Sequence, residues 1–176
     1  MNSKLIGLFM ATLTALALVS PLAAERGDDS NRKSKNGLAH GTIDGVDVTI
    51  EYGRPNVKGR EVWGKLVPLG KIWRTGADEA TTITVSADVT VEDQALPVGT
   101  YSLFTVPGET TWEIVFNKVA KQWGAFKYDP EQDALRVSVP SAPADFVESL
   151  TFEIDADSVV LRWAELAVPF TLAAAE

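Results

Sequence analysis

The chain of 176 residues carries 16 Lys and Arg against 24 Asp and Glu, a net charge of −8, and it contains no cysteine. The lack of cysteine excludes disulfides, thiol catalysis and cysteine-ligated metals, and a chain of this size folds around a core without such cross-links. The acidic balance argues against nucleic acid as a partner, because phosphate binding depends on dense Lys and Arg contacts.

Residues 1–24 have the layout of a secretory signal peptide, with Lys4 near the start, an apolar run at 5–19 and small residues before Ala24. The run is shorter than the about 20 residues of a bilayer span. We therefore predict cleavage near Ala24, a periplasmic or secreted protein, and no stable membrane span after removal of the signal. The mature chain would carry 15 basic and 24 acidic residues, a net charge of −9. An uncleaved membrane anchor is the alternative interpretation.

Residues 25–37 are polar and charged without hydrophobic periodicity, which predicts a flexible polar leader. Residues 38–174 form one predicted domain. Its clearest element is a hairpin of strands 38–43 and 46–53, in which apolar residues alternate with polar ones after the turn-forming pair Asp44-Gly45.

The rest of the domain reads as short β-branched and aromatic runs separated by turn-forming clusters. These runs predict strands at 81–86, 88–92, 101–106, 111–117, 134–139, 148–154, 158–163 and 166–172. About ten short strands with little helix predict an all-β fold, a single two-layer β-sandwich, with a jelly-roll as one arrangement. The expected core members are Leu103, Ile114, Phe116, Leu135, Val137, Phe152, Leu161, Trp163 and Phe170.

Residues 52–82 concentrate six basic side chains against three acidic ones, with recurring glycine and proline, in an otherwise acidic chain. This mixture predicts an ordered loop, and loops on a rigid scaffold often carry function. The guanidinium of arginine can hold a carboxylate or phosphate at two points. We predict a ligand site for a small anion, an acidic sugar or a peptide carboxylate, built from Arg54, Lys58, Arg60, Trp73, Arg74, Thr75, Asp78 and Glu79.

Two alternatives apply to these residues. The arginines can instead pair with Glu51, Asp78 or Glu79 and tie the loops to the sheet, since buried charges need partners. The tryptophans offer a stacking surface for sugars: Trp112 and Trp163 lie in predicted strands and are expected in the core, whereas Trp63, Trp73 and Trp123 lie in glycine-containing turns and are expected at the surface.

No catalytic constellation is recognisable. His40 is the only histidine, and it stands at the start of the first strand with no motif around any serine. Zinc and copper sites need several His or Cys ligands, so we predict no metal and no cofactor. The alternating acids Asp129, Glu131 and Asp133 are expected to be turn formers, with calcium as the open alternative.

The 52–82 segment resembles the core of an uncharacterised family of exported bacterial domains, catalogued as a domain of unknown function. The similarity is carried by YGRP-x-VKGR at 52–60, WG-x-LVP at 63–68 and WRTGA-x-EAT at 73–81, and it extends over 38–172. The family commonly has tyrosine where Leu69 stands and asparagine where Asp78 stands, and an ionised carboxylate only accepts hydrogen bonds. The resemblance implies export and a β-rich domain, but no activity.

The sequence therefore favours a non-enzymatic exported binding or accessory module. One alternative is a hydrolase of an envelope substrate that uses a carboxylate pair, Asp78 with Glu79 or Glu51 with Glu79. The other is a structural envelope module that pairs edge to edge with a partner strand. Neither a specific ligand nor an oligomeric state follows from the sequence.

Overall fold

The computed structural model describes residues 26–175, so the predicted signal peptide lies outside the described residues. Within this range the chain forms ten strands and one short 3-10 turn, Pro130–Gln132. The strands are β1 (Lys35–Ile43), β2 (Val46–Arg54), β3 (Thr81–Val85), β4 (Val89–Val91), β5 (Gln94–Leu96), β6 (Gly99–Val106), β7 (Thr111–Asn117), β8 (Asp133–Pro140), β9 (Ala142–Ile154) and β10 (Ser158–Ala174). The predicted all-β fold with little helix is confirmed.

The strands form two antiparallel sheets. Six strands run in the order β1-β2-β3-β6-β7-β8, and four run in the order β5-β4-β10-β9. The predicted first hairpin is confirmed: β1 pairs with β2 from Lys35 opposite Arg54 to Ile43 opposite Val46. Its turn residues Asp44 and Gly45 both have positive φ, 48° and 80°, as a two-residue hairpin turn requires.

The apolar faces of the two sheets enclose one large core. Every expected core member is buried except Leu135, which is partly buried and packs against the core. Burying this apolar surface is the main favourable contribution to the stability of such a domain. Among residues 26–175, no helix is long and apolar enough to cross a membrane.

Four tryptophans meet at one end of the core. Trp63 and Trp73 each contact the other three tryptophan rings, Trp112 and Trp163 included, with ring centroids 4.9 to 6.4 Å apart; the contacts are mostly edge to face, and Trp73 stacks on Trp163. The expectation that Trp73 lies at the surface was wrong, whereas Trp63 is partly exposed and packs against the core. Trp73 is buried because its loop pairs with β6 through reciprocal backbone hydrogen bonds with Thr105 of 2.8 and 2.9 Å.

The strand predictions were wrong at three places. The two strands expected at 158–163 and 166–172 are one strand, β10, whose register with β9 shifts around Ala164, at φ 52°. The short strand β5 was missed. The proline-containing stretch 140–145 is not simply a turn, because β8 ends at Pro140 and β9 already contains Pro143. Both are edge strands, where proline is tolerated because no ladder donor is needed on the outer side.

Part of the segment predicted as a leader contacts the domain. The Arg26 side chain is almost fully buried and donates hydrogen bonds to the carbonyl oxygens of Ala77, Glu79 and Ala80 at 2.9 to 3.2 Å. Strand β1 itself begins at Lys35. The N-terminal segment therefore lies along the 77–80 stretch of the basic region.

Candidate functional site

The loop that follows β2 is tied to both sheets. On the four-stranded side, Val57 N–H donates to Glu148 O at 2.8 Å, and Leu150 N–H donates to Pro55 O at 3.0 Å. On the six-stranded side, the Trp73 backbone pairs with Thr105. Residues 55–80 are thus held at both ends of the loop by strands far away in the sequence.

The stretch around Arg74 is packed directly on the β2 backbone. A Cβ added to Gly53 would lie 2.3 Å from Ala77 O, so only glycine allows this approach. Thr75 is fully buried at φ 55°, a conformation that a β-branched residue rarely adopts. Its carbonyl accepts a 2.8 Å hydrogen bond from Thr81 Oγ1, and its hydroxyl lies 3.2 Å from Thr105 Oγ1. Backbone strain of this kind persists only where the surrounding contacts enforce it.

This loop forms one wall of a cleft of about 790 Å³. Its charged lining consists of five cations and one acid, and we call it the cationic cleft: Lys33, Lys58, Arg60, Lys71, Arg74 and Asp78. Its apolar lining includes Leu66, Pro68, Ile72, Trp73 and Trp163. A cluster of five cations contrasts with the net charge of −8 of the whole chain.

Arg74 is the most enclosed of these cations, since the other four are exposed. Across residues 26–175 no carboxylate lies within ion-pairing distance of its guanidinium, and its Nε is buried without a hydrogen-bond partner. Burial lowers the pKa of Arg74, and the nearby Asp78 only partly offsets this effect. The guanidinium remains charged, since an arginine pKa starts far above neutrality. A cation has therefore been partly removed from water without a matching anion.

Arg54 and Arg60 have partners, but these are not acids. Arg54 donates from Nε to Leu150 O and from Nη2 to Thr151 Oγ1, each at 3.2 Å, and so links β2 to β9 outside the cleft. Arg60 folds back onto its own loop and donates to Val57 O at 3.0 Å and to Asn56 O. The alternative of structural pinning thus fits Arg54, whereas Arg60 is exposed and lines the cleft.

Glu79 is occupied by the N-terminal segment. Its carboxylate accepts hydrogen bonds from Arg32 at 2.7 Å and from Arg26 at 3.1 Å. Burial raises the pKa of Glu79, but the hydrogen bond from Arg32 and the charges of both arginines outweigh this and lower it overall. Glu79 lines a separate, smaller cavity of about 270 Å³. Asp78 faces the cationic cleft instead, so the two neighbouring acids do not share one site.

The structure brings together five of the eight predicted site residues: Lys58, Arg60, Trp73, Arg74 and Asp78 line the cleft. Arg54, Thr75 and Glu79 do not. Sequence reasoning missed Lys33, Ser34 and Lys71, which also line it. Lys71 lies within the basic stretch, and a plain count of its charges would have included it. Lys33 had no such signal, because it belongs to a polar segment without periodicity.

The histidine and the acidic turn residues considered as metal ligands do not line the cationic cleft. His40 is exposed in β1, with Nδ1 3.1 Å from Thr49 Oγ1. Asp129 caps the short 3-10 turn by accepting from Glu131 N–H, and Asp133 accepts from Asn117 and Tyr128. In the part of the chain that the structure describes, no group of three or more His, Asp or Glu side chains is placed to hold a metal ion.

Comparison with known proteins identifies a family of unknown function. The family model described as "Protein of unknown function (DUF2911)" matches residues 34–172. No curated protein and no solved structure matches the chain. The matched range includes the YGRP, WG-x-LVP and WRTGA motifs, strands β1 to β9 in full, β10 as far as Leu172, and every residue that lines the cleft except Lys33. The resemblance predicted from the motifs is confirmed, and the chain belongs to this family of proteins of unknown function.

Proposed function

We propose that the domain is a non-enzymatic binding module that holds a small anionic ligand in the cationic cleft. The observation that carries this proposal is Arg74, a half-buried guanidinium without an acid partner among residues 26–175. Burying a charge without a counter-ion is costly, and a protein gains nothing from it in the ligand-free state. A bound carboxylate or phosphate would supply the missing acceptors, and the terminal nitrogens of Arg74 are the atoms that would contact it.

The rest of the cleft supports the same chemistry. Lys33, Lys58, Arg60 and Lys71 surround Arg74 with further positive charge, and only Asp78 opposes it. A concave site with low-dielectric walls concentrates such a field and attracts ligands of opposite charge. The volume of about 790 Å³ is in the range of sites that enclose small molecules. An acidic sugar or the terminal carboxylate of a peptide fits this combination, with the body of the ligand against Ile72 and Leu66.

A binding role agrees better with the acids than hydrolysis does. A hydrolase of the glycosidase type needs two carboxyl groups across one open cleft, about 5 to 10 Å apart. Asp78 faces the cleft, but Glu79 is held by Arg26 and Arg32 beside another cavity. Among the described residues, Asp78 is the one carboxylate that lines the cleft, so we propose binding alone.

Export is part of the proposal. The predicted signal peptide would deliver the module to the periplasm or the medium, where its ligand would be an envelope or extracellular anion. Expression in a bacterial host, followed by fractionation and intact-mass measurement, tests this step. Export predicts a mature chain that begins near Glu25, whereas a full-length chain retained in the cell would contradict it.

The binding test compares two arginine variants that change the net charge equally. Arg74→Gln removes the unpaired guanidinium, while Arg162→Gln removes a surface guanidinium that pairs with Glu153 at 2.6 Å. Melting temperatures are measured with galacturonate, inorganic phosphate and an N-acetylated dipeptide, at matched ionic strength. A ligand at a hundredfold excess over Kd stabilises the folded state by about 2.7 kcal/mol. For a domain of this size, that corresponds to a shift of roughly 5 to 10 °C.

We expect at least one of these probes to shift the wild type and Arg162→Gln but not Arg74→Gln. Equal shifts in all three proteins would indicate a general salt effect and contradict the proposal. So would the absence of a shift with every probe at concentrations up to the millimolar range.

A further inference from the structure

A second surface, distinct from the cationic cleft, exposes apolar side chains to an unusual degree. In residues 118–127, the first part of the 118–132 connection between β7 and β8, the exposed fractions are 42% for Val119, 57% for Trp123 and 88% for Phe126. The Phe126 ring lies over Gly124, the residue after Trp123, since a Cβ on Gly124 would be 2.9 Å from Phe126 Cε2. Large exposed apolar side chains concentrated in one short segment mark a candidate interaction site.

The 118–127 stretch is cationic, and the two acids of the same connection, Asp129 and Glu131, follow it. Its sequence KVAKQWGAFK contains Lys118, Lys121 and Lys127 and no acidic residue, so its net charge is +3 in a chain of net charge −8. All three lysines are exposed. Positive charge and exposed aromatic rings thus occur together on one short loop.

The exposure does not result from a loose backbone. Gln122 O accepts a hydrogen bond from Ala80 N–H at 2.9 Å, and Gly124 N–H donates to Asp78 O at 3.0 Å. At the start of the loop, Lys118 N–H donates to Gln132 O at 2.9 Å. The Gln122 side chain donates to Val119 O at 2.9 Å and closes the first turn. Because these hydrogen bonds fix the loop, its aromatic rings stay exposed to water and lack the stabilisation that burial normally gives to aromatic side chains.

We propose that the 118–127 loop docks onto an anionic lipid bilayer surface. Trp and other aromatic side chains favour the interface between headgroups and acyl chains, and flanking lysines bind the lipid phosphates. The charge complementarity selects a lipid surface over a neutral apolar partner, because a partner that buried only the rings would leave three lysines without anions. The loop would anchor the domain peripherally, through a few inserted rings and their neighbouring cations.

Vesicle sedimentation tests this proposal with the full mature chain. The vesicles contain phosphatidylcholine alone or equal parts of phosphatidylcholine and phosphatidylglycerol. The apolar variant is Trp123→Ser with Phe126→Ser. Its matched control is Leu38→Ser with Phe146→Ser, which removes two apolar side chains of 65% and 56% exposure from edge strands. The charge variant replaces Lys118, Lys121 and Lys127 by Gln, and Arg74→Gln tests whether the cleft is responsible for the lipid binding.

We expect binding to the phosphatidylglycerol vesicles, little binding to phosphatidylcholine alone, and weakening by salt. Each lysine near an anionic surface contributes about fivefold, so the charge variant should lose on the order of a hundredfold in partitioning. The apolar variant should also lose binding, while the apolar control and Arg74→Gln should retain it. Tryptophan emission of the wild type should shift to shorter wavelength with vesicles, since Trp123 is an exposed indole that would enter the interface.

Three results would overturn the proposal. The first is no sedimentation of the wild type with either vesicle. The second is equal binding by the wild type and the apolar variant, provided circular dichroism shows both folded. The third is loss of binding in Arg74→Gln with retention in the lysine variant, which would assign the lipid phosphates to the cleft.

Discussion

Replacing Arg74 by methionine tests whether this arginine serves ligand binding or stabilises the folded domain. In the ligand-free protein its Nε is buried without an acceptor, and no carboxylate of residues 26–175 compensates its charge. An unsatisfied buried donor costs about 1 to 3 kcal/mol. Methionine keeps an unbranched, flexible side chain that can pack against Ile72 and Trp73 without a charge.

We therefore expect Arg74→Met to raise the free energy of unfolding by about 1 kcal/mol, because the orphaned donor cost disappears and only the weak attraction to Asp78 is lost. For a domain of this size, that corresponds to a melting temperature higher by about 2 to 4 °C. The same variant should lose the ligand-induced shift described above. Greater stability with less binding is the usual signature of a residue retained for function.

Arg54→Met is the matched control, since it makes the same chemical change at an arginine with partners. Arg54 holds Leu150 O and Thr151 Oγ1 of β9, so its removal leaves these acceptors unpaired and should lower stability by about 1 to 3 kcal/mol. Urea unfolding at pH 7 measures both variants. If Arg74→Met lowers stability as much as Arg54→Met does, Arg74 stabilises the loop and our reasoning is refuted.

Three further predictions concern the surroundings of the site. Gly53→Ala should lower stability by more than 2 kcal/mol in urea unfolding, because overpacking costs about 1 to 3 kcal/mol and here the new methyl group meets the backbone oxygen of Ala77 at 2.3 Å. Glu79→Gln should lower stability at pH 7, but the difference from wild type should vanish in acid. The folded protein lowers the pKa of Glu79 from 4.5, so the ionised carboxylate contributes fully to stability above pH 4.5. This contribution is lost as the pH falls through the folded-state pKa. A difference that persists at lower pH would contradict the ion pair with Arg32. Burial and the hydrogen bond to Asp133 raise the pKa of Tyr128 to about 12, so Tyr128→Phe should remove one phenolate transition near that pH in an absorbance titration.

The fold could be predicted from the sequence because its signal is local. Alternation with a period of two in β2 identifies the strand and its buried face without knowledge of its neighbours. The errors arise where a residue or irregularity that usually ends a strand is accommodated within the sheet. Pro140 and Pro143 look like turn residues, but they occupy edge strands with no partner on one side. Ala164 interrupts the alternation by a register shift, so one strand looks like two.

The site could be predicted only in part because its chemistry depends on distant contacts. Composition alone indicates that 52–82 is the basic region of an acidic chain. Whether an arginine there is paired depends on residues far along the chain: Arg54 meets Leu150, and Glu79 meets Arg32. Trp73 was placed at the surface for the same reason, since its burial comes from pairing with Thr105. Periodicity contains no information about these long-range contacts.

The arginines of the described residues show why internal bonding of loops to the sheet does not by itself explain the basic region 52–82. Residues 26–175 contain seven arginines. Four form ion pairs, Arg26, Arg32, Arg136 and Arg162, and two donate to backbone carbonyls, Arg54 and Arg60. In an acidic protein with many carboxylates available, each of these six has found an acceptor, which is the outcome that desolvation demands. Among residues 26–175 Arg74 alone has not, although it is half-buried and lines the cleft with four other cations. The contrast between Arg74 and the six internally bonded arginines of residues 26–175 is what supports the proposal that Arg74 serves an acceptor from outside.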